Sequence, residues 1–335
     1  MSMPDLTLNG KRTTRPNERH HAMLNPIYIP PLPPIREKTG LVAFMDILGF
    51  SSIKADTAEI VEQVFRAMET TAGEKQGFIE SLDVRNMMPD EDRNAYTMPD
   101  KQRRIMEAEQ SLVRNRTEVS VISDSFICLC DLTGTSDKEI TFLTSTFIQM
   151  VAAIASGMFV RGLPLRGGIS YGSFFHNNGM YGRAYDVPTV FLGEAVLAAH
   201  KFETTSNTAC ICLDDAATEF CKNHYDPFAA GFHAKDEQSD LCLSEVVFKK
   251  RDTEGKEVHS RVCIAPYFRE LWHDRIEDWV QRAFSQHEKY PLDEDKGTQE
   301  ERQEAKRTNA EVRRKMDNTI RFLKAIKPWP VGEAS

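Results

Sequence analysis

Leu41–Ile53, LVAFMDILGFSSI, is the stretch that decides the fold of this chain. Its apolar residues run directly into Asp46, and two further apolar residues lead to Gly49, an aromatic residue and two hydroxyl residues. A pattern typical of a helix follows. The stretch therefore predicts a buried strand, a tight turn at Gly49 and the N-terminus of a helix.

Asp46 is the anomaly in this strand. A carboxylate among apolar residues is costly unless it is paired or bound to a metal. The backbone amides after Gly49 can face an anion, helped by the helix dipole. Two interpretations stay open at this point: a site for a cation beside phosphates, or an aspartate that caps its own turn.

Composition bounds the class of protein. The chain has 335 residues, enough for one large or two ordinary domains, and a net charge of −8, which argues against a nucleic-acid or acidic-membrane partner. The cysteine pairs Cys128/Cys130 and Cys210/Cys212 lie in apolar runs without zinc-site spacing, so we expect reduced core residues. Without a signal-peptide pattern, and with Phe142–Val160 interpreted as a buried helix, we expect a cytoplasmic protein.

The predicted organisation has three parts. Residues 1–38 are expected to form a flexible Pro-rich tail. Residues 39–217 are expected to form the main domain, with a polar insertion at 72–117. Residues 218–335 are expected to add a hairpin, turning near Glu254–Gly255, and helices; within this part, 291–307 is predicted to be solvated and Thr308–Ile326 helical.

The element order predicts an α+β fold. After β-rich Leu41–Ile47 comes a helix to about Thr70, then the runs of VSVISDSFICLC, Val119–Cys130, which predict a hairpin with Asp124 at its turn. Strand, helix, hairpin, helix, strand, helix and strand in succession give a split β-α-β core. Asp124 by itself is also a common turn residue.

Four motifs together resemble the class III nucleotidyl cyclases. FMDILGFSS resembles the first-strand pattern F-x-D-I-x-G-F-[ST], and ISDSF stands where that family has its second metal aspartate. LRGGISYG resembles its LRxGIxxG strand, and GEAVLAAHKFE its G-x-x-V-N-x-A-x-R-L-E helix. The motifs occur in the family's order over roughly residues 40–215. The resemblance implies a ferredoxin-like βαββαβ core with extra strands and helices, working as a head-to-tail homodimer.

The resemblance also implies a reaction and its metal ligands. The 3′-hydroxyl of a nucleoside triphosphate attacks its own α-phosphorus and releases pyrophosphate, with two divalent cations, Mn²⁺ or Mg²⁺, at the site. Asp46 and Asp124 would hold the cations, with the backbone carbonyl of Ile47. The amides of Leu48, Gly49, Phe50 and Ser51 would hold the β- and γ-phosphates.

Two transition-state positions depart from the family pattern. The family's Asn and Arg fall on Leu197 and Lys201 when counted from Gly193. Leucine cannot orient a ribose or phosphate, and lysine lacks the bidentate fork of arginine, so Lys201 is a candidate phosphate contact from the second protomer. Arg166 is another candidate, or else it pairs with a surface acid. These departures leave open a catalytically silent homologue.

The base-reading positions match neither purine pattern. Adenylyl cyclases of the family have Lys and Asp there and guanylyl cyclases have Glu and Cys, whereas this chain has Ser120 and Val190, with Asp186 nearby. Phe44 lies on the strand face of Asp46 and either limits the base pocket or packs in the core.

These features most resemble the bacterial Pycsar pyrimidine cyclases. The resemblance implies conversion of UTP to cyclic UMP in anti-phage defence, with a separate effector protein that responds to the product. A cytidylate cyclase making cyclic CMP, an adenylate cyclase and a silent nucleotide-binding homologue are the alternatives.

Overall fold

Strand β1 (Glu37–Ile47) is the central strand of the site, with neighbours hydrogen-bonded along both sides. Leu41, Val42 and Ala43 are fully shielded from solvent, so both faces of the strand are covered. A Cβ atom at Gly40 would lie 1.9 Å from the carbonyl oxygen of Cys130, and therefore only glycine permits this close approach.

The structure is a computed structural model, and it describes residues 36–50, 58–81, 98–176, 191–203, 208–227, 229, 243–247, 260–264, 275–285, 287, 298–325 and 327–328. All of these belong to one unit, Arg36–Ser335. The predicted tail (apart from its last three residues), the middle of the insertion and the turn at Glu254–Gly255 lie outside the described residues.

The described strands pair into one sheet, and helices connect them. The remaining strands are β2 (Thr117–Ile122), β3 (Ser125–Asp131), β4 (Leu165–His176), β5 (Phe191–Leu192), β6 (Ile211–Leu213), β7 (Leu243–Val247), β8 (Ser260–Ile264) and β9 (Lys327–Pro328). The helices are α1 (Ala58–Ser81), α2 (Asp100–Arg116), α3 (Asp137–Val160), α4 (Glu194–Glu203), α5 (Asp215–His224), α6 (Ile276–Phe284) and α7 (Gln299–Ala325).

The strand order places the first four strands as β2-β3-β1-β4, and each neighbouring pair is antiparallel. Helix α1 follows β1, and α3 connects β3 to β4, which is the connectivity of a split β-α-β unit. The predicted α+β class is confirmed, and so is the hairpin with Asp124 at its turn. Beyond β4 the order continues β6-β8-β7-β9, so the described strands after residue 218 extend the same sheet.

Two layers of helices cover the two faces of the strands around β1. On one face, Leu41, Ala43 and Met45 share a core cluster with residues of α1 and α3. Helix α3 is long and apolar enough to cross a membrane. However, 78% of its most apolar 18-residue stretch is buried inside the protein, as predicted for a core helix. On the other face, α4 packs so closely that a Cβ at Gly168 would lie 2.3 Å from the carbonyl oxygen of Ala199.

Three predicted boundaries were wrong. Strand β1 begins at Glu37, inside the predicted tail. Helix α1 continues past Thr70 to Ser81, since Thr71 and Ile79 extend its buried face. Helix α7 begins at Gln299 rather than Thr308, inside the stretch predicted to be solvated. Thr298 and Glu301 explain this start, because each side chain accepts a hydrogen bond from the other residue's backbone amide.

The described cysteine side chains are free and buried, as predicted for core residues. Burial raises the pKa of Cys128 and of Cys221 to about 12, so both thiols stay protonated and unreactive at neutral pH. Among the residues that the structure describes, no group of three or more His, Cys, Asp or Glu could hold a metal ion.

Candidate functional site

The structure brings Asp46 and Asp124 to the same end of β1. Asp46 pairs across the ladder with Ser125, the residue that follows Asp124. The backbone amide of Ile47 donates to the carbonyl oxygen of Asp124 at 3.2 Å. A tight β2–β3 turn, with Ser123 at φ 57°, delivers Asp124 to this position. Residues that are 78 positions apart in sequence (124 − 46) are thus neighbours in the fold.

Arg166 explains how Asp46 is tolerated in an apolar strand. The two residues are paired in register between β1 and β4, and the Arg166 Nη2 atom lies 3.2 Å from the Asp46 Oδ2 atom. Their side chains are 25% and 18% exposed, respectively, so the pair is largely but not fully desolvated. Arg166 therefore pairs with a carboxylate, that of the candidate metal ligand Asp46, and its role as a phosphate contact stays a prediction.

The turn after β1 is held inside the protein. The Leu48 side chain is fully buried, and its amide donates to the carbonyl oxygen of Pro164 at 2.8 Å. This amide is engaged there, so the expectation that it contacts a phosphate is not supported. Gly49 has φ 84°, a conformation that favours glycine, and Phe50 is exposed. Ser51 lies outside the described residues.

A polar cluster lies on the face of β2 that carries Ser120. The Ser120 hydroxyl donates to Glu118 Oε1 at 3.3 Å, and this oxygen is 3.0 Å from His176 Nε2. The His176 ring stacks on Phe191 with centroids 5.0 Å apart. Val190 lies outside the described residues.

The sequence reasoning missed Glu118 and His176. Glu118 stands two residues before Ser120 and therefore on the same strand face, which is a signal that the spacing does contain. The approach of His176 from β4 to Glu118 on β2 depends on the path of the longer strand, and no local pattern encodes it.

Phe44 packs against helix α4. Its ring meets that of His200 edge-on, with centroids 4.7 Å apart, and the residue is partly buried. This contact favours the packing role of Phe44 over a wall of the base pocket, although its face of β1 is also the face of Asp46.

Leu197 and Lys201 lie one turn apart on α4. Both are exposed, and Leu197 reaches 72%. Residues at i and i+4 share a face of a helix, so the two side chains are presented together to the surroundings. The apolar Leu192 of β5 is also exposed near the start of this helix.

Comparison with models of known families and with curated proteins gave no match. Among solved structures, the chain is similar to the guanylyl cyclase Cya2, with 12% identity over 71% of this chain and 96% of that one and a TM-score of 0.35. It is also similar to two monomeric structures of the guanylyl cyclase domain of the RhoGC fusion protein from the aquatic fungus Blastocladiella emersonii. The double mutant has 11% identity over 70% of this chain and 98% of that one, with a TM-score of 0.39. The other has 11% identity over 69% and 96%, with a TM-score of 0.37. These similarities are low.

Proposed function

We propose that this chain is a class III nucleotide cyclase that converts UTP to cyclic UMP and pyrophosphate. The observation that supports the proposal is the convergence of Asp46 and Asp124 at the end of β1, with Arg166 on Asp46. Two carboxylates and one guanidinium at the same end of neighbouring strands suit a cation-bound triphosphate.

The donor atoms at this end of the strands fit divalent cations. Asp46 and Asp124 supply carboxylate oxygens and Ile47 supplies a backbone carbonyl, and such hard oxygen ligands suit Mg²⁺ or Mn²⁺. Two cations bound there would stabilise charge on the triphosphate and lower the pKa of the 3′-hydroxyl. The side chains of Asp46 and Arg166 remain partly exposed, so the site is accessible from solvent.

The remaining groups bind and orient the substrate. Gly49, Phe50 and Ser51 would place backbone amides against the β- and γ-phosphates, and Arg166 would neutralise phosphate charge with its bidentate fork. In the reaction, the 3′-oxygen would form a bond to the α-phosphorus, the bond from the α-phosphorus to the pyrophosphate oxygen would break, and the 3′-hydroxyl proton would pass to solvent water. Charge therefore accumulates on pyrophosphate, where a cationic side chain stabilises it.

A second copy of the chain would complete the site. Lys201 is exposed on α4 beside Leu197, so this helix face is available to a partner subunit. In a head-to-tail homodimer, Lys201 of one protomer would face the Asp46–Asp124 site of the other. Leu192 and Leu197 would supply apolar area to the interface.

The preference for a pyrimidine is supported by the groups around Ser120. Neither purine-reading pair of the family is present in the sequence. Instead Ser120, Glu118 and His176 form a connected polar cluster, with Phe191 against its ring. We assign this cluster to recognition of the base. The product, cyclic UMP, would activate a separate effector protein in anti-phage defence.

The test is incubation of the purified protein with ATP, GTP, CTP and UTP in the presence of Mn²⁺ or Mg²⁺, with products read by mass. We expect cyclic UMP from wild type and none from Asp46→Ala or Asp124→Ala, with folding checked by circular dichroism. Asp100→Ala is the matched control, because Asp100 is an exposed carboxylate at the start of α2. A cyclase activity that survives loss of both aspartates would refute the assignment, and cyclic CMP or a cyclic purine would correct the base.

A silent nucleotide-binding homologue is the second candidate. The silent candidate is favoured by Leu197, an exposed leucine at the position where the class III cyclases have a transition-state asparagine. Binding of a triphosphate, measured by calorimetry, without product under any metal condition would support this candidate over the cyclase.

A further inference from the structure

The C-terminal helices α6 and α7 pack against the turn that follows β1. Leu48 shares an apolar cluster with Phe284 of α6 and with Val312 and Phe322 of α7. All four side chains are buried. A segment nearly 240 residues further along the chain therefore forms the support beneath the turn.

His287 adds a polar contact to the neighbouring residue of the same turn. It follows the end of α6, where its backbone amide donates to the carbonyl oxygen of Phe284 at 3.0 Å. Its ring is fully shielded from solvent, and Nδ1 lies 3.3 Å from the carbonyl oxygen of Gly49. A carbonyl only accepts hydrogen bonds, so Nδ1 carries the proton that is donated to Gly49.

The ring also stays neutral in this environment. Burial lowers the pKa of His287 to about 4, against the opposing effect of the hydrogen bond to the Gly49 carbonyl, and the nearby positive charge of Lys315 on α7 lowers it further. At neutral pH the contact is therefore a hydrogen bond between uncharged groups.

The same turn is also joined to a second loop. Pro164 lies in the connection from α3 to β4, one residue before Leu165, and its carbonyl oxygen accepts the hydrogen bond from the Leu48 amide. His287 therefore contacts the turn residue next to the one that bonds to the loop before Arg166.

We propose that His287 is a positioning residue, which fixes the turn at Leu48–Gly49 and thereby orients the amides that receive the triphosphate. The C-terminal helices α6 and α7 would then support the Asp46–Asp124 site directly. The kinetic consequence rests on the proposed cyclase function, but the structural consequence does not.

The experiment compares His287→Leu with His287→Asn in the full-length protein. Leucine fills much of the ring's volume but cannot donate a hydrogen bond, whereas the asparagine amide can occupy the place of Nδ1–H. Hydrogen exchange read by mass spectrometry on a peptide covering residues 41–53 reports the turn without any need for activity. We expect faster exchange there in His287→Leu and near-wild-type exchange in His287→Asn.

The kinetic arm uses the same variants. We expect the KM for the triphosphate to rise on the order of tenfold in His287→Leu, the effect of one lost hydrogen bond, with partial rescue in His287→Asn. Glu277→Ala is the matched control, since Glu277 pairs with Lys324 on the outer surface of α6 and α7. Its exchange and KM should match wild type.

The outcomes separate the two proposals. Unchanged exchange at 41–53 in His287→Leu, or equal impairment of both His287 variants, would overturn the positioning role. If wild type forms no cyclic product but exchange still changes as expected, the cyclase proposal fails and the positioning of the turn stands. Should His287→Leu not fold, His287→Ala, which also lacks the donor, takes its place in the same comparison of exchange with His287→Asn.

Discussion

At the scale of single residues, Glu118 is the group whose chemistry is least explained by packing. It accepts a hydrogen bond from Ser120 and faces His176, yet its side chain remains partly open to solvent. A carboxylate in this position binds the Ser120 hydroxyl and still presents an acceptor to a ligand. This combination is suited to reading the hydrogen-bonding edge of a base.

We predict that Glu118→Gln lowers the preference for UTP over the other triphosphates by roughly fivefold, about the effect of one weakened hydrogen bond. The amide keeps the shape of the side chain but removes the carboxylate charge that strengthens the hydrogen bond from Ser120. Ratios of kcat/KM across four triphosphates measure this. Glu107→Gln, an exposed change on α2, should leave the ratios as they are. An unaltered ratio in Glu118→Gln would remove this residue from the base site.

At the scale of elements, helix α7 begins with a pair of capping hydrogen bonds. Its first turn is stabilised by the reciprocal hydrogen bonds of Thr298 and Glu301, whereas few of its early side chains are buried. We predict that Thr298→Ala costs about 1 kcal/mol of unfolding free energy, the usual value of a lost N-cap. Urea denaturation measures the change.

Gln303→Ala is the control for this prediction. Gln303 is exposed in the same helix and takes no part in the cap, and alanine has the higher helix propensity. Its unfolding free energy should therefore equal or exceed that of wild type. Equal stability of Thr298→Ala and Gln303→Ala would mean that the cap does not stabilise the helix.

The sequence predicted elements well where the local pattern was strong. The runs around Asp124 predicted the hairpin, and the apolar run up to Asp46 predicted β1. The prediction of where α7 begins was wrong, because the charged composition of this stretch concealed the Thr298–Glu301 cap. The predicted end of α1 was also wrong, because Ile79 is buried by tertiary packing that the local sequence does not reveal.

Some residues of the candidate site could likewise be predicted from the sequence, and others could not. Asp46 and Asp124 could be identified from motifs, and adjacent strands bring them together. The ion pair of Asp46 with Arg166 depends on the β1–β4 register, and the contact of His287 with Gly49 joins parts of the chain that are remote in sequence. Contacts of this kind become visible only in the folded structure.

At the scale of the whole molecule, the exposed face of α4 predicts association with a second copy. Leu197→Asp would place a carboxylate in the proposed interface. We expect the dimer to weaken on the order of 30-fold, the cost of burying an unpaired charge, and the cyclase activity to fall with it. Sedimentation velocity over a concentration series measures the association.

Val160→Asp is the matched control for the interface. Val160 is also an exposed aliphatic residue, at the end of α3. The same charge placed there should leave the association constant and the activity unchanged. Equal behaviour of the two aspartate variants, or a monomeric and active wild type, would exclude α4 as the interface.

The pairing of β6 with β8 has a consequence for how this protein can be divided. In the described sheet, β6 lies between β4 and β8, so its outer backbone groups are satisfied by a strand from beyond residue 218. A fragment ending at residue 217 would present β6 as a bare sheet edge, and such edges recruit other chains. Truncation there would thus favour self-association into aggregates over release of an independently folded domain. In the full-length chain, the strands after residue 218 cover this edge of β6 and so protect it from other chains.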